Sequence, residues 1–363
     1  MKKPFLTYLK DFLAFQRVVV VDRELSNLAT ADQLLTQLIT EKKIPGLAIS
    51  VRKEGKSYFQ KGYGFADIKN KVLVHPQTSI FRIASVSKPI AATALAHLVA
   101  DGLIDLDASF YTYVPYYPKK KWDFTIRQLA NHTAGIRSYL GKEYGLNEPY
   151  SIKESIAIFK DDDLLFEPGT RYQYSSYDWV LISLAIQEIT GTPFETYLQK
   201  KVLHPLGLKN TFAPNISGDD VTIAKDTKLH VTKFYTKNRL GFHEAIPVNN
   251  YFKLAGGGYL ATAEDVAFFG QAFLDKKVLN DAVLNQFLRS ETLNGKLLYY
   301  GLGWQVSTDK SGRDFYGHIG NGVGGYSNFF VYPEQKIVIA ILINCTNPEI
   351  QNELDQVIDY LFL

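Results

Sequence analysis

The residues most able to do chemistry in this sequence are a serine and a lysine three positions apart, Ser85 and Lys88. They stand at the start of an apolar segment with helical spacing, and residues three apart on a helix share one face. A serine hydroxyl is a weak nucleophile that needs a base nearby. A lysine can be that base only when it is neutral, a state favoured by burial and by the positive end of a helix dipole. The pair therefore indicates nucleophilic catalysis, although short matches of this kind are common and Ser85 could simply cap the helix.

Three later segments strengthen the case for a catalytic site. They are 125–136, which ends in Asn131-His132-Thr133-Ala134-Gly135-Ile136, 168–176, which ends in Tyr174-Ser175-Ser176, and 316–321, which ends in His318-Ile319-Gly320-Asn321. In their order and spacing after Ser85 and Lys88, these segments resemble the class C β-lactamase-related family of serine hydrolases. That family includes penicillin-binding D-alanyl-D-alanine carboxypeptidases and esterases. The resemblance runs from about residue 30 to residue 363, and within the family it points to the mitochondrial serine β-lactamase-like proteins and their bacterial relatives.

The resemblance implies a role for each residue of the site. Ser85 would be the nucleophile and Lys88 its partner on the helix. Tyr174 matches the tyrosine of the family's Y-x-N motif and would share the base role, as a phenolate only if a cation lowers its pKa. The segment 318–320 takes the place of the family's K-T-G strand, so the backbone N–H of Asn321 would form the oxyanion hole together with that of Ser85. The implied reaction is hydrolysis through an acyl-enzyme, with the tyrosine or the strand's histidine protonating the leaving group.

Three departures from the family pattern bear on the substrate. Ser176 stands where Y-x-N has asparagine, and it offers one donor instead of two. Ile319 replaces the threonine of K-T-G and lacks the hydroxyl that, in the family, helps to bind the carboxylate of penicillins and D-alanine peptides. His318 replaces the lysine, so the positive charge there is only partial near neutral pH. With Gly320, these residues are expected to bind the substrate, and their types favour an esterase or D-alanyl peptidase-like enzyme with weak or no β-lactamase activity, acting on a small ester, amide or peptide.

A different class of function stays open, that of a non-catalytic binding or filament-forming protein that kept the same scaffold. Some relatives assemble into filaments, and Ser176 and Ile319 could mark decay of the site. Tyr174 could also be an ordinary core aromatic, and His318 a strand residue bonded to backbone. The intact set of serine, lysine and tyrosine favours the enzyme.

Other motifs in the sequence point away from cofactors. The segment 320–325 matches G-x-G-x-x-G, but a strand-like stretch follows it where a dinucleotide site needs a helix. The seven histidines are scattered, so no metal site is expected. The segment around His132 resembles a loop that supports the wall of the active site, and we expect a structural role for it. The glycine-rich segment 254–259 resembles a turn near the cleft, with no catalytic role assigned.

The elements that must position these residues follow a simple order along the chain. Helical patterns are predicted at 31–41, 86–101, 178–190, 263–274 and 350–361, and strand patterns at 47–51, 58–64, 302–308, 314–318, 326–332 and 336–343. Strands therefore stand at both ends and helices in the middle. We predict an α+β fold of the β-lactamase/transpeptidase type, with one antiparallel sheet built from both chain ends and flanked by helices. The predicted sheet domain comprises 24–84 and 301–363, the inserted mostly helical domain comprises 85–300, and the active site lies at their interface.

Composition limits the remaining possibilities. The 363 residues are 46% hydrophobic and 21% charged, as in globular proteins, and the net charge of +3 is too small to indicate nucleic-acid binding. The single cysteine, Cys345, excludes an intramolecular disulfide. No stretch is long and apolar enough to span a membrane. The N-terminal apolar segment is broken by charges, so the protein is either cytoplasmic or has had an export signal removed. Oligomeric state stays open.

Overall fold

The computed structural model describes residues 27–216 and 228–363. The N-terminal segment considered as an export signal, and residues 24–26 of the predicted sheet domain, lie outside this part of the chain. The strands are β1 (Gly46–Lys53), β2 (Lys56–Asp67), β3 (Val72–Leu73), β4 (Ser79–Arg82), β5 (Thr211–Phe212), β6 (His230–Val231), β7 (Tyr235–Asn238), β8 (Gly241–Glu244), β9 (Leu260–Ala261), β10 (Thr292–Leu293), β11 (Lys296–Leu297), β12 (Gln305–Thr308), β13 (Asp314–Gly322), β14 (Gly325–Tyr332) and β15 (Ile337–Ile343).

The α-helices alternate with these strands and are concentrated between β4 and β12. They are α1 (Asn27–Thr40), α2 (Ser87–Ala100), α3 (Phe110–Tyr113), α4 (Ile126–Ala130), α5 (Ile152–Ser155), α6 (Ser176–Thr190), α7 (Phe194–Leu198), α8 (Ala263–Leu274), α9 (Asp281–Phe287) and α10 (Gln351–Phe362). None of the helices within 27–216 and 228–363 is both long enough and apolar enough to cross a membrane.

The main sheet joins the two ends of the chain, as the sequence predicts. Among the described residues, seven strands pair antiparallel in the order β12-β13-β14-β15-β1-β2-β3. At its centre β1 pairs with β15, so that Leu47 lies opposite Ile343. The turn between β1 and β2 contains Glu54 and Gly55, both at positive φ, which is the expected hairpin. The predicted α+β class with a sheet assembled from both termini is confirmed.

Both faces of this sheet are covered, which explains why β15 is apolar at every position and entirely buried. On one face, Ile339 and Ile341 pack against residues of α1 and α10. On the other face, Val338 and Ala340 belong to the larger core that α8 and the central helices complete. Because side chains alternate between the two faces, each position of β13 also faces either the terminal helices or the large core.

The central part of the chain holds short strands that the helical patterns do not reveal. β5, β9, β4 and β6 form a small sheet in that order, and β7 pairs with β8 in a hairpin. Each has only two to four residues, too few for an alternating pattern to stand out. The small sheet matters for the site because β4 leads directly to Ser85.

Candidate active site

Ser85 lies at a sharp corner between β4 and α2. A 3₁₀ turn, Ala84–Val86, connects the two elements, and Ala84 adopts a left-handed conformation with φ of 45°. Such a conformation is uncommon for a residue with a side chain and is found where the surroundings enforce it. Here the Ser327 hydroxyl of β14 donates to the Ile83 carbonyl at 2.7 Å and ties the corner to the main sheet. The half-buried Ser85 side chain lines a surface cleft.

Lys88 is completely buried, and every hydrogen-bond partner of its amine lies in the cleft wall. Its Nζ is 3.1 Å from Ser85 Oγ and 3.4 Å from Ser176 Oγ, and it donates to the Gly256 carbonyl. Burial lowers the pKa of Lys88 to about 7, and only an ionised Asp178 would oppose this shift. A neutral amine has two N–H groups and one lone pair. The Gly256 carbonyl and the Ser176 hydroxyl can accept from the N–H groups, and the Ser85 hydroxyl can donate to the lone pair. The predicted contact of this lysine with Ser85 is present, and its role as a proton acceptor stays a prediction.

Tyr174 is the second residue bonded to the Ser85 hydroxyl. Its hydroxyl donates to Ser85 Oγ at 2.8 Å, and the Lys88 Nζ lies 4.7 Å from the centre of its ring. Burial raises the pKa of Tyr174 above its ordinary value. The tyrosine is therefore a neutral phenol and a hydrogen-bond donor, and the conditional expectation of a phenolate is not supported.

Strand β13 passes so close to the Ser85 corner that only glycine fits at position 320. A Cβ atom there would lie 2.5 Å from the Ile83 carbonyl oxygen and 3.0 Å from the Ser85 nitrogen. The N–H of Ile319 donates to Gln305 Oε1, which places it on the edge facing away from β14. Residues two apart on a strand present their backbone groups to the same edge. The Asn321 N–H therefore points to the free edge, beside the nitrogen of Ser85.

The side chain of Ile319 does not face the cleft, and its predicted role in substrate binding is wrong. It lies on the other face of β13, where it packs with Phe315, Phe330 and Ile358 under α10. The reason is the alternation of the strand: His318 and Gly320 take the positions toward Ser85, so the residue between them must point away. The missing threonine hydroxyl therefore removes nothing from the cleft of this protein.

His318 lies in the wall behind Tyr174 and is almost fully buried. Burial and the proximity of Lys88 lower its pKa to about 3. Its ring is neutral, so the partial positive charge expected at this position is absent. His132, expected to be structural, is buried with its ring centre 4.4 Å from that of Tyr174 and supports the tyrosine from behind.

Several residues of the site carry no signal that sequence reasoning recognised. Gly256 belongs to the glycine-rich segment that received no role, yet its carbonyl accepts from Lys88. Tyr139 and Lys253 line the cleft beside Ser176. Tyr300 bonds to His318 at 3.0 Å, but as one of 23 tyrosines outside any motif it is inconspicuous in the sequence. Only the three-dimensional arrangement brings these residues to Ser85.

The fold and the site define a known class of protein. The family model described as Beta-lactamase matches residues 31–361, and the chain belongs to that family. It is 26% identical over 399 residues to the human mitochondrial serine beta-lactamase-like protein LACTB, covering 83% of this chain and 71% of the relative.

Two solved structures share the fold. The D-amino acid amidase from Ochrobactrum anthropi SV3 in complex with D-phenylalanine superimposes with a TM-score of 0.79 at 21% identity, covering 93% of this chain and 99% of that one. EstCE1, a hydrolase with promiscuous acyltransferase activity, gives a TM-score of 0.76 at 19% identity, over 93% and 99% of the two chains. At these identities the likeness concerns the fold alone.

Proposed function

We propose that this protein is a serine hydrolase that forms an acyl-enzyme on Ser85 and acts on small esters or amides. One observation carries the proposal: the Ser85 hydroxyl is bonded at once to a buried amine, Lys88, and to a phenol, Tyr174. A serine on an ordinary helix start would need neither contact. The amidase and hydrolase named among the similar folds, and the family membership of the chain, support the same class of reaction.

The proposed acylation step begins with neutral Lys88 accepting the proton of the Ser85 hydroxyl. As the O–H bond breaks, Oγ forms a bond to the substrate carbonyl carbon, and Lys88 becomes an ammonium ion. The Gly256 carbonyl and the Ser176 hydroxyl are already in place to accept from that ammonium. The Tyr174 hydroxyl donates to Ser85 Oγ, and this bond orients a lone pair of Oγ toward the substrate.

The negative charge formed on the carbonyl oxygen requires donors that are fixed in advance. We assign this role to the backbone N–H groups of Ser85 and Asn321, since Gly320 lets β13 approach the turn that holds Ser85. One such donor typically contributes about 2.7–4 kcal/mol to transition-state stabilisation. Tyr174 then gives its proton to the leaving nitrogen or oxygen and regains one from the Lys88 ammonium. His318 is poorly placed for this step, because its two ring nitrogens bond to the Tyr300 hydroxyl and the Ile319 carbonyl instead.

Deacylation repeats the sequence with water as the nucleophile. Lys88, neutral again, accepts a proton from water, and the acyl bond to Ser85 breaks with the proton returned to Oγ. We propose weak or no β-lactamase activity, because β13 presents a neutral histidine where the family has a lysine. Ser176, which bonds to Lys88, lines the cleft and is proposed to contact the substrate together with Gly320.

A fluorophosphonate probe tests the proposal directly, because it labels only an activated serine. Wild-type protein should be labelled and Ser85→Ala should not, with the modified peptide containing residue 85. Ser87→Ala is the matched control, since the Ser87 hydroxyl lies in the same turn but accepts from the Tyr259 N–H. Turnover of p-nitrophenyl esters, D-amino acid amides and nitrocefin then defines the substrate class. A folded wild-type protein that resists the probe would instead support the non-catalytic scaffold.

A further inference from the structure

We propose that Asp178 is held as a neutral carboxylic acid, and that with His132 and Tyr300 it fixes His318 as a neutral hydrogen-bond donor to its own strand. These residues are called here the buried network. The inference rests on the proposed hydrolase, for which the members of the network are positioning residues. None of them touches Ser85, but together they join α6 to β13 across the back of the cleft.

The buried network is a continuous row of short contacts. Asp178 Oδ2 lies 2.7 Å from His132 Nδ1, and His132 Nε2 lies 3.3 Å from the Tyr300 hydroxyl. That hydroxyl lies 3.0 Å from His318 Nε2, and His318 Nδ1 lies 2.6 Å from the Ile319 carbonyl oxygen. Asp178, His132 and His318 are at most 1% exposed, and Tyr300 is 3% exposed. Water therefore does not set the proton positions along the row.

The carbonyl end of the network fixes the direction of each bond. A carbonyl oxygen only accepts, so His318 Nδ1 carries a proton. In a neutral imidazole the other nitrogen then accepts, so the Tyr300 O–H donates to His318 Nε2. The single proton of Tyr300 is thereby used, and its oxygen accepts from His132 Nε2–H. His132 is left with Nδ1 as an acceptor.

The other end of the network agrees with this assignment. The backbone N–H of Ser175 is directed at His132 Nδ1, 3.3 Å away. His132 Nδ1 must therefore carry a lone pair, because an N–H at that position would be repelled by the Ser175 N–H. The proton in the 2.7 Å contact must then belong to Asp178. Its other oxygen, Oδ1, is buried and has no hydrogen-bond partner among the described residues, which suits the carbonyl oxygen of an acid better than half of a carboxylate.

Two competing arrangements have the same number of protons. In both of them Asp178 would be a carboxylate and His132 would carry a proton on Nδ1, and the positive charge would lie on His132 in one and on His318 in the other. Both set the Nδ1–H of His132 against the Ser175 N–H and place a pair of charges in a buried site. Burial raises the pKa of Asp178 well above its ordinary value and lowers those of His132 and His318, in agreement with the neutral form.

The neutral network leaves Lys88 without a negative charge from Asp178. The titratable groups around the Asp178 carboxyl are Lys88, Tyr117, His132, Tyr172, Tyr174 and Tyr300. With Asp178 neutral, no described carboxylate among them holds Lys88 in its cationic form. Because Asp178 is neutral, it does not raise the pKa of Lys88, the proposed base. Its hydrogen bond to His132 keeps that ring against Tyr174.

The first test needs no substrate. In protein carrying ¹⁵N-labelled histidine, long-range proton–nitrogen spectra report which ring nitrogens are protonated, with His132→Gln and His318→Gln used for assignment. From about pH 5 to pH 9, we expect His132 protonated on Nε2 alone and His318 on Nδ1 alone. An imidazolium at His318, or a proton on His132 Nδ1, overturns the proposal. This result stands whether or not the protein proves to be a hydrolase.

The second test uses Asp178→Asn, whose amide N–H can still donate to His132 Nδ1. The histidine signals should keep their tautomers, and the pH midpoint of the acid limb of kcat should stay where it is. If Asp178 were an anion, its loss would lower that midpoint by about one unit or more and would discharge His318. Asp265→Asn is the control, since Asp265 is also a buried carboxyl in a helix first turn but bonds to Asn210 and Thr211.

Discussion

Lys88 Nζ donates to the carbonyl oxygen of Gly256, a residue 168 positions later in the chain. The spacing of Ser85 and Lys88 brings an amine near a hydroxyl, but on its own it does not orient the lone pair of that amine. The long-range bond to Gly256 and the contact with Ser176 occupy the two N–H groups of the neutral amine. The lone pair is left for Ser85, which is the orientation that a general base requires.

The first prediction concerns pH. Because the active form of Lys88 is neutral and its pKa is lowered to about 7, kcat should rise with pH through a midpoint near 7 and level off above it. Lys88→Arg, which stays protonated, should lose about 10²- to 10⁴-fold in kcat. The pH–rate profile of an ester substrate measures both effects.

Lys253 provides the control for that assignment, because it also lines the cleft and burial lowers its pKa to about 8. Its amine donates to the carbonyls of Glu143 and Tyr144, contacts that an arginine can keep. Lys253→Arg should leave the midpoint in place. A midpoint that shifts in the Lys253 variant but not in the Lys88 variant would show that the base is Lys253 and not Lys88.

The second prediction is that buried Lys88 lowers the stability of the protein. Below about pH 7 both folded and unfolded chains hold Lys88 charged, so the full burial cost is present. Between about pH 7 and pH 10.5 only the unfolded chain holds that proton, so stability rises with pH until the cost is gone. Lys88→Met should thus raise the free energy of unfolding by a few kcal/mol at pH 6.

Urea unfolding at pH 6 and pH 10 measures the effect, and the gain from Lys88→Met should shrink at the higher pH. Lys56→Met, at the exposed first residue of β2, is the matched control and should change little at either pH. A gain that is equal at both values would mean that packing, not charge, explains it.

The third prediction uses the close approach of β13 to the nucleophile. In Gly320→Ala the new methyl group would lie 2.3 Å from Ser327 Oγ and 2.5 Å from the Ile83 carbonyl oxygen, so the strand must move away. We expect a loss of about 10²-fold or more in kcat, because a misplaced oxyanion donor has effects of that size. Gly322→Ala on the same strand meets only Ala84 Cβ at 3.3 Å and should be far milder. Equal effects at the two positions would contradict the close contact as the cause.

The fourth prediction follows from the orientation of Ile319. Ile319→Thr should cost about 1 kcal/mol of stability, because a hydroxyl replaces apolar contacts under α10. The ratio of nitrocefin to p-nitrophenyl acetate turnover should not change. Ser176→Asn, at a position that lines the cleft, should change that ratio and serves as the positive control. Selective gain of nitrocefin turnover in Ile319→Thr would show that the side chain reaches the substrate after all.

The fold was predictable from the sequence to a large extent because its signals are local. Helix α8 occupies the predicted range 263–274, with the Thr262 hydroxyl accepting from the Asp265 N–H at its start, and α6 ends at residue 190 as predicted, where Gly191 follows in a left-handed conformation. The pairing of terminal strands followed from their apolar, β-branched composition at both chain ends. The contact between Ser85 and Lys88 was also predictable, since the two residues are three positions apart at the start of a helix.

The features that could not be predicted are the side of a strand to which a side chain points and the contacts between segments far apart in the sequence. Nothing in the order His318-Ile319-Gly320 says which of these side chains faces Ser85, and the family analogy placed Ile319 on the wrong side. Likewise, the contact of Tyr300 with His318 depends on how the segment before β12 folds over β13. Such contacts arise from tertiary packing, which a periodic pattern does not encode.

The antiparallel pairing of β1 with β15 constrains when the protein can finish folding. During synthesis β1 emerges long before β15, the strand to which it pairs from Leu47 onward. Until then the hairpin of β1 and β2 has an apolar edge with no partner, a template for aggregation. Contacts of such long sequence separation form slowly. A nascent chain that does not yet include β15 therefore exposes this edge to other copies, and a chain that stops before β15 would leave the edge open.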